Sequence, residues 1–324
     1  MKDIVFISGL SGAGGSYLAE YLVEEQPQVE VHGTTRWHST TSLHNLKDIK
    51  DKVTIHECDL MDLSSLIRIL RKIEPTKIFN MASHANVKVC FDNPLSVLNN
   101  NIMCTANLLE AVRLECPDVI FNQCSSSEVY GNPLDTPITE NHPLNPVNPY
   151  AVSKLAQEKL CYAYYESYGL KVIITRMFAY ICPRRVEIFS TAFARQAIQV
   201  EMGRKEFLSH GNLESIRTLI DVRDAMRSYW VACEYCKYGE PYNIGGNEVI
   251  TVGEFLDHLC KQSKVPIKCV QNPDLMRPID VTRQIVDISK FEKATNGTWK
   301  QRYSLSESVE WLLQQVRKEE GYCK

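Results

Sequence analysis

No run of this 324-residue chain reaches the ~18 consecutive apolar residues that a membrane-spanning helix needs. An excess of one charge is also missing: 36 Lys and Arg stand against 39 Asp and Glu, a net of −3. So even a balance argues against a partner such as nucleic acid or an anionic membrane surface. The eight histidines show no HExxH or other ligand spacing. Internal repeats and low-complexity tracts are lacking. The opening MKDIVFISG already reads as a strand, not as a signal peptide. These absences describe a cytoplasmic chain with enough length for one large or two modest domains and a well-buried core.

Cysteine is not scarce: there are twelve. Cys104, Cys116, Cys161 and Cys260 lie in apolar surroundings and read as small core residues of a reduced protein. Cys233 and Cys236 form a CxxC in WVACEYCKY, but no second pair lies at finger spacing. The pair reads as two cysteines sharing a helix, and no metal is expected.

Along the chain, apolar runs of strand length alternate with helical patterns. IVFIS (4–8), VEVHG (29–33), VTIHE (53–57), KIFNM (77–81), VIFNQC (119–124) and KVIITR (171–176) read as strands. Helices are expected from Gly15 to about Glu25, and over about 64–72, 95–114 and 149–168. This alternation predicts an α/β protein whose doubly wound parallel sheet carries helices on both faces. Past residue 177 the pattern loosens, with helices at 190–202 and about 222–235 and a last sheet strand in YNIGG (242–246). Residues 1–176 plus about 222–246 are read as a dinucleotide-binding domain. About 177–221 plus 247–324 are read as a smaller lobe that covers the substrate.

Directly after the first strand comes Gly9-Leu-Ser-Gly12-Ala-Gly-Gly15, a GxxGxxG. Glycines there keep the turn tight and let backbone approach a phosphate, and the helix that follows offers its N-terminal N–H groups to a pyrophosphate. The second strand ends in Gly33-Thr34-Thr35-Arg36, without the carboxylate that usually meets the ribose 2′-hydroxyl of NAD. Arg36 would instead suit the 2′-phosphate of NADP, with NAD kept as the alternative and a solvated loop as the bland reading. Asp59 either accepts from the adenine amine or closes a turn.

Tyr150 and Lys154 in NPYAVSK are four apart, on one face of a helix. A phenol has a pKa of ~10 and is a poor base at neutral pH. A neighbouring ammonium favours the phenolate, so the two can relay a proton beside a nicotinamide. NQCSSSEVYG (122–131) ends the fifth strand in three hydroxyls and a carboxylate. It is either a capped polar turn or part of a reacting surface.

GSYLAEYL (15–22), GTTRWHS (33–39), CDLMDLSSL (58–66), NPLSVLNNN (93–101), SSSEVYG (125–131), NPYAVSK (148–154), PRR (183–185), GNLESIR (211–217) and MRPID (276–280) run in this order through the chain. Together they resemble the extended short-chain dehydrogenase/reductase family over nearly the whole length, and within it the GDP-sugar branch of GDP-mannose 4,6-dehydratases and relatives acting on GDP-heptoses. The resemblance implies that Ser126 hydrogen-bonds the reacting sugar hydroxyl and that Tyr150 removes its proton. Lys154 would hold the cofactor ribose and tune Tyr150, and Glu128 would take the carbon 5 proton once carbon 4 is a ketone. It further implies substrate contacts from Ser127, His84, Arg185, Asn212, Arg217 and Arg277. His84 either meets the sugar or caps its strand.

The chain departs from that branch in places. GDP-mannose dehydratases read Ser-Thr-Ser-Glu where this chain has Ser-Ser-Ser-Glu, and carry an asparagine where this chain has Ala179. His84-Ala85 replaces a Gln-Ser pair, and Arg36-Trp37 replaces an Arg-Arg pair in the loop that bridges subunits of tetrameric relatives. The expected activity is a GDP-sugar 4,6-dehydratase that yields a 4-keto-6-deoxy sugar, active as a homo-oligomer, dimer or tetramer. The alternatives are a GDP-sugar 4-reductase, 4-dehydrogenase or epimerase, and a non-catalytic dinucleotide-binding protein on the same fold.

Overall fold

The computed structural model describes residues 3–37, 42–276 and 281–322. The first part of the chain runs β1 (Ile4–Ser8), α1 (Ala13–Glu25), β2 (Glu30–Thr35), β3 (Thr54–Glu57), α2 (Leu63–Ile73), β4 (Lys77–Asn80), α3 (Val87–Asp92), α4 (Pro94–Glu115) and β5 (Ile120–Ser126). Next come α5 (Pro149–Tyr168), β6 (Lys171–Met177), β7 (Tyr180–Ile181), α6 (Phe189–Glu201), β8 (Leu208–His210), β9 (Ile216–Asp221), α7 (Val222–Tyr235) and β10 (Pro241–Ile244). The chain closes with β11 (Glu248–Thr251), α8 (Val252–Lys261), β12 (Cys269–Gln271), β13 (Arg283–Gln284), α9 (Ser289–Ala294) and α10 (Leu305–Glu319).

Seven strands form one sheet in the order β10-β6-β5-β4-β1-β2-β3, and every neighbour pair in it is parallel. Such strands must be apolar on both faces, because helices cover both. Val5 and Ile7 accordingly point into a core shared with α1 and α7. Phe6, Ile78, Phe121 and Val172 point to the other side, into a core shared with α2, α4 and α5. The strand order reverses between β1 and β4, and open α/β sheets of this kind bind ligands at the carboxyl ends of the strands beside that switch.

Local sequence fixes the helix that matters most. Asn148 caps α5 by accepting from Ala151 N at 2.8 Å, and Pro149 takes the first helical position, where its missing N–H costs nothing. Gly169, at φ +71°, ends the helix. NPY therefore places Tyr150 in the first turn of α5, with Lys154 one turn on.

The remaining strands build a second lobe. β9 carries β11 antiparallel, and β13 and β7 parallel, while β12 pairs with β8. Its core is Phe193, Ala197, Leu208, Phe255, Leu256, Val309 and Leu312. Ile288, Phe291 and Trp299 turn back into the first core. Cys104 and Cys161 are buried as the sequence suggests, but Cys116 is only half-buried. Cys260 is also only half-buried, because β12 is a short edge strand that brings the exposed Cys269 to 3.9 Å from it. Cys233 and Cys236 are buried, and among the described residues no three His, Cys, Asp or Glu side chains group to hold a metal. No helix among them is long and apolar enough to cross a membrane.

Candidate active site

A cavity of about 620 Å³ opens at the carboxyl ends of the sheet strands and runs toward the second lobe. At one end β1 gives way to Gly9, whose φ of +70° suits glycine. A Cβ on Gly15 would lie 2.4 Å from the Gly9 carbonyl oxygen, so the turn closes only with glycine there. Gly12 caps α1 with backbone alone, and the first turn of α1 holds no acidic side chain. Gly12 to Gly15 line the cavity, so this helix start presents N–H groups and the positive end of its dipole to whatever enters. The cradle fits the pyrophosphate of a dinucleotide. Arg36 follows β2 into the same cavity. Asp59 lines it too, and also accepts from Met61 N at 3.0 Å, so it turns the chain whatever else it meets.

At the other end the Ser126 hydroxyl and the Tyr150 phenol line the same stretch of wall. The Ser126 hydroxyl also accepts from Glu128 N at 3.3 Å, capping the 3₁₀ turn over 127–130. Strand β5 runs two residues further than expected, so Ser125 and Ser126 are its last residues. Burial leaves the Tyr150 phenol raised to about 12, although the Arg185 charge and the nearby Ser126 hydroxyl both act to lower it. Burial lowers Lys154 to about 8. Its ammonium lies 5.9 Å from the Tyr150 ring centre and donates to the Cys124 carbonyl at 2.8 Å.

Two amides hold the Glu128 carboxylate. Asn148 Nδ2 donates to one oxygen at 3.0 Å and Gln284 Nε2 to the other at 3.3 Å. Ser127 is buried beside it and lines the cavity. Behind the serines, Ser125 donates to Glu158, which is paired with Arg176 at 2.8 Å.

The structure thus brings Gly9, Gly12, Gly15, Arg36, Asp59, His84, Ser126, Ser127, Glu128, Tyr150, Lys154, Arg185 and Arg217 to one cavity. The His84 backbone is pinned both ways by the Asn101 side chain. Burial lowers its imidazole, and the Arg36 charge adds to this. Arg185 lies 5.6 Å from the Tyr180 ring centre and donates weakly to the Ala85 carbonyl at 3.4 Å. Arg217 donates to the Ile216 carbonyl at 2.8 Å. Asn212 is not among the lining residues, and its side chain closes a turn through Glu214 N and Ser215. Arg277 lies outside the described residues. Sequence reasoning missed Asn148, Tyr180 and Gln284. The helix cap marked Asn148, and nothing in the sequence marked Gln284.

The family model for GDP-mannose 4,6 dehydratase matches residues 6–312. A GDP-mannose 4,6-dehydratase of Yersinia enterocolitica is 33% identical over 272 residues, covering 81% of this chain and 72% of its own length. Among solved structures, RMD from Pseudomonas aeruginosa complexed with NADPH is 26% identical with a TM-score of 0.83, over 98% of this chain and 99% of that one. The dTDP-glucose 4,6-dehydratase of Bacillus anthracis in complex with NAD superposes with a TM-score of 0.84 at 22% identity, over 99% of this chain and 98% of that one, and so shares the fold.

Proposed function

The chain belongs to the GDP-mannose 4,6 dehydratase family, and from that premise we propose that it removes water from a GDP-linked sugar to give a 4-keto-6-deoxy sugar. Glu128 carries this reading: its carboxylate shares a cavity with Tyr150, Lys154 and Ser126, where a second, separate base is needed. A nicotinamide dinucleotide held by the glycine turn over 9–15 and Lys154 would supply a hydride acceptor for carbon 4 and a hydride donor for carbon 6, with no net change in its own oxidation state.

The chain's own groups do the rest. Gly9, Gly12 and Gly15 would seat the pyrophosphate, and Arg36 favours NADP through a 2′-phosphate. Ser126 orients the carbon 4 hydroxyl, and Tyr150 takes its proton. The Arg185 charge draws that phenol below the value its burial alone would give, and the Lys154 ammonium, 5.9 Å from the ring centre, would favour the phenolate further. Glu128 then takes the carbon 5 proton, which the carbon 4 ketone has made acidic. Residues 1–176 plus about 222–246 serve the dinucleotide in this scheme, and the second lobe serves the sugar nucleotide. Trp37, 70% exposed beside Arg36, suits a loop that meets another subunit of a cytoplasmic homo-oligomer.

The test is incubation with GDP-mannose, and separately with GDP-manno-heptose, without added reduced cofactor. Loss of one water with no net change in reduced nicotinamide is expected. Turnover of a 4-keto sugar that consumes NADPH or NADH, with no water lost, would replace this reading with a reductase.

A further inference from the structure

Gln284 does not lie in the lobe that bears the other reacting groups. It is the last residue of β13, in the second lobe, yet its side chain reaches Glu128 across 156 residues of sequence. It is 4% exposed and lines the cavity. Its backbone is fixed from both lobes. The Gln284 carbonyl accepts from the Thr218 hydroxyl on β9 at 3.3 Å. The next residue, Ile285, accepts from Ile138 N at 2.7 Å, and Asp287 N donates to the Ile138 carbonyl at 2.9 Å. A side chain hung from so constrained a backbone points where its backbone sends it.

A carboxylate on a 3₁₀ turn has several rotamers open to it. Asn148, from the α5 cap, holds one Glu128 oxygen, and a single contact leaves the carboxylate free to swing about it. A donor on the second oxygen removes that freedom and fixes which lone pairs face the substrate. Gln284 is also the register partner of Arg217, which lines the cavity from β9. The strand pair that presents Arg217 therefore also sets the base.

We propose that Gln284 is a positioning residue for Glu128, through which the second lobe aims the base at the carbon 5 proton. The inference rests on the dehydratase reading above. It requires no new chemistry: the carbon 5 C–H bond breaks, its proton goes to Glu128, and its electron pair becomes part of the enolate of the carbon 4 ketone.

The experiment compares wild type, Glu128→Gln and Gln284→Met, the last of similar length with no donor. Substrate is used with hydrogen and with deuterium at carbon 5. Gln284→Met is expected to bind NADPH and substrate as wild type does and to lose turnover on the order of tenfold to a hundredfold. Reduced nicotinamide should accumulate on the enzyme and a primary isotope effect should emerge, because oxidation proceeds and proton removal lags. A role confined to packing would slow both steps alike, so unchanged turnover or an equal loss of oxidation and elimination overturns the inference. Should Gln284→Met fail to bind NADPH, Gln284→Glu keeps the shape, faces Glu128 with an acceptor, and is read by the same two signals. A wild type that releases no water refutes the dehydratase reading and this inference with it. A wild type that dehydrates, beside a Gln284→Met that shows neither signal, refutes this inference alone.

Discussion

The Lys154 ammonium donates to the backbone carbonyl of Cys124 at 2.8 Å, joining α5 to the last residue of β5 before the serines. Tyr150 and Ser126 sit at the near ends of the same two elements. One hydrogen bond from a buried cation therefore sets the helix and strand that must carry a phenol and a hydroxyl to contact.

That cation strains the cofactor-free fold. Lys154 is lowered from an ordinary 10.5 to about 8 by burial. Below pH ~8 the ammonium is charged in both folded and unfolded chains, and the folded state carries the full penalty. Between ~8 and ~10.5 the unfolded chain holds a proton that the folded chain has released, so stability rises with pH through that window. Lys154→Met removes this dependence. Without cofactor, its stability relative to wild type should be greatest near pH 7 and shrink by a few kcal/mol toward pH ~10. Urea unfolding of both proteins across that range measures it. A difference that does not change with pH would mean that Lys154 is not lowered.

Tyr150→Phe should lose turnover by on the order of a hundredfold to ten-thousandfold, the usual worth of a placed acid–base group. NADPH binding should survive, because the ring remains in its buried place and only the phenol hydroxyl goes. Turnover assays and a fluorescence titration with NADPH separate the two. Retained turnover would move the base elsewhere, whereas a wild type that binds NADPH and turns nothing over would be a non-catalytic dinucleotide-binding protein.

Much of this was legible in the sequence because its signals are local. Apolar runs of five or six residues marked β1 to β6, and Asn148, Pro149 and Gly169 marked both ends of α5. GxxGxxG and YxxxK named the two ends of the cavity by spacing. Strands β11 to β13 escaped, since two to four residues carry no readable period and their pairing partners lie far along the chain. Gln284 escaped for the same reason, because its meaning comes from a register with Arg217 and a reach to Glu128. Asn212 looked like a contact by its motif, but the Glu214 N–H and the Ser215 hydroxyl hold its side chain in a turn.

Behind the serines, Glu158 and Arg176 form an ion pair whose side chains are 3% and 5% exposed. Removing one partner strands the other charge, which costs about 3–5 kcal/mol in buried pairs. Glu158→Ala should lower the unfolding free energy by that amount in urea, and should free Ser125, the neighbour of Ser126, from its hydrogen bond. A loss below about 1 kcal/mol would mean that Arg176 finds sufficient partners in Tyr130 OH, at 2.9 Å, and the Glu140 carbonyl, at 3.3 Å.

Arg36 decides the cofactor in the reading proposed above. A guanidinium meeting a 2′-phosphate makes charge-assisted hydrogen bonds worth about 1.5–3 kcal/mol, so Arg36→Ala should weaken NADPH about tenfold to a hundredfold. NADH binding should hold, since it carries no 2′-phosphate. The substitution also removes a cation whose charge helps lower the His84 imidazole. The His84 pKa should therefore rise in Arg36→Ala, read by NMR titration of the imidazole protons without cofactor. Equal weakening of NADPH and NADH would show that Arg36 supports the cavity wall and does not read the phosphate. A His84 shift without loss of NADPH preference would leave the arginine close to the histidine and assign the choice of cofactor to another group.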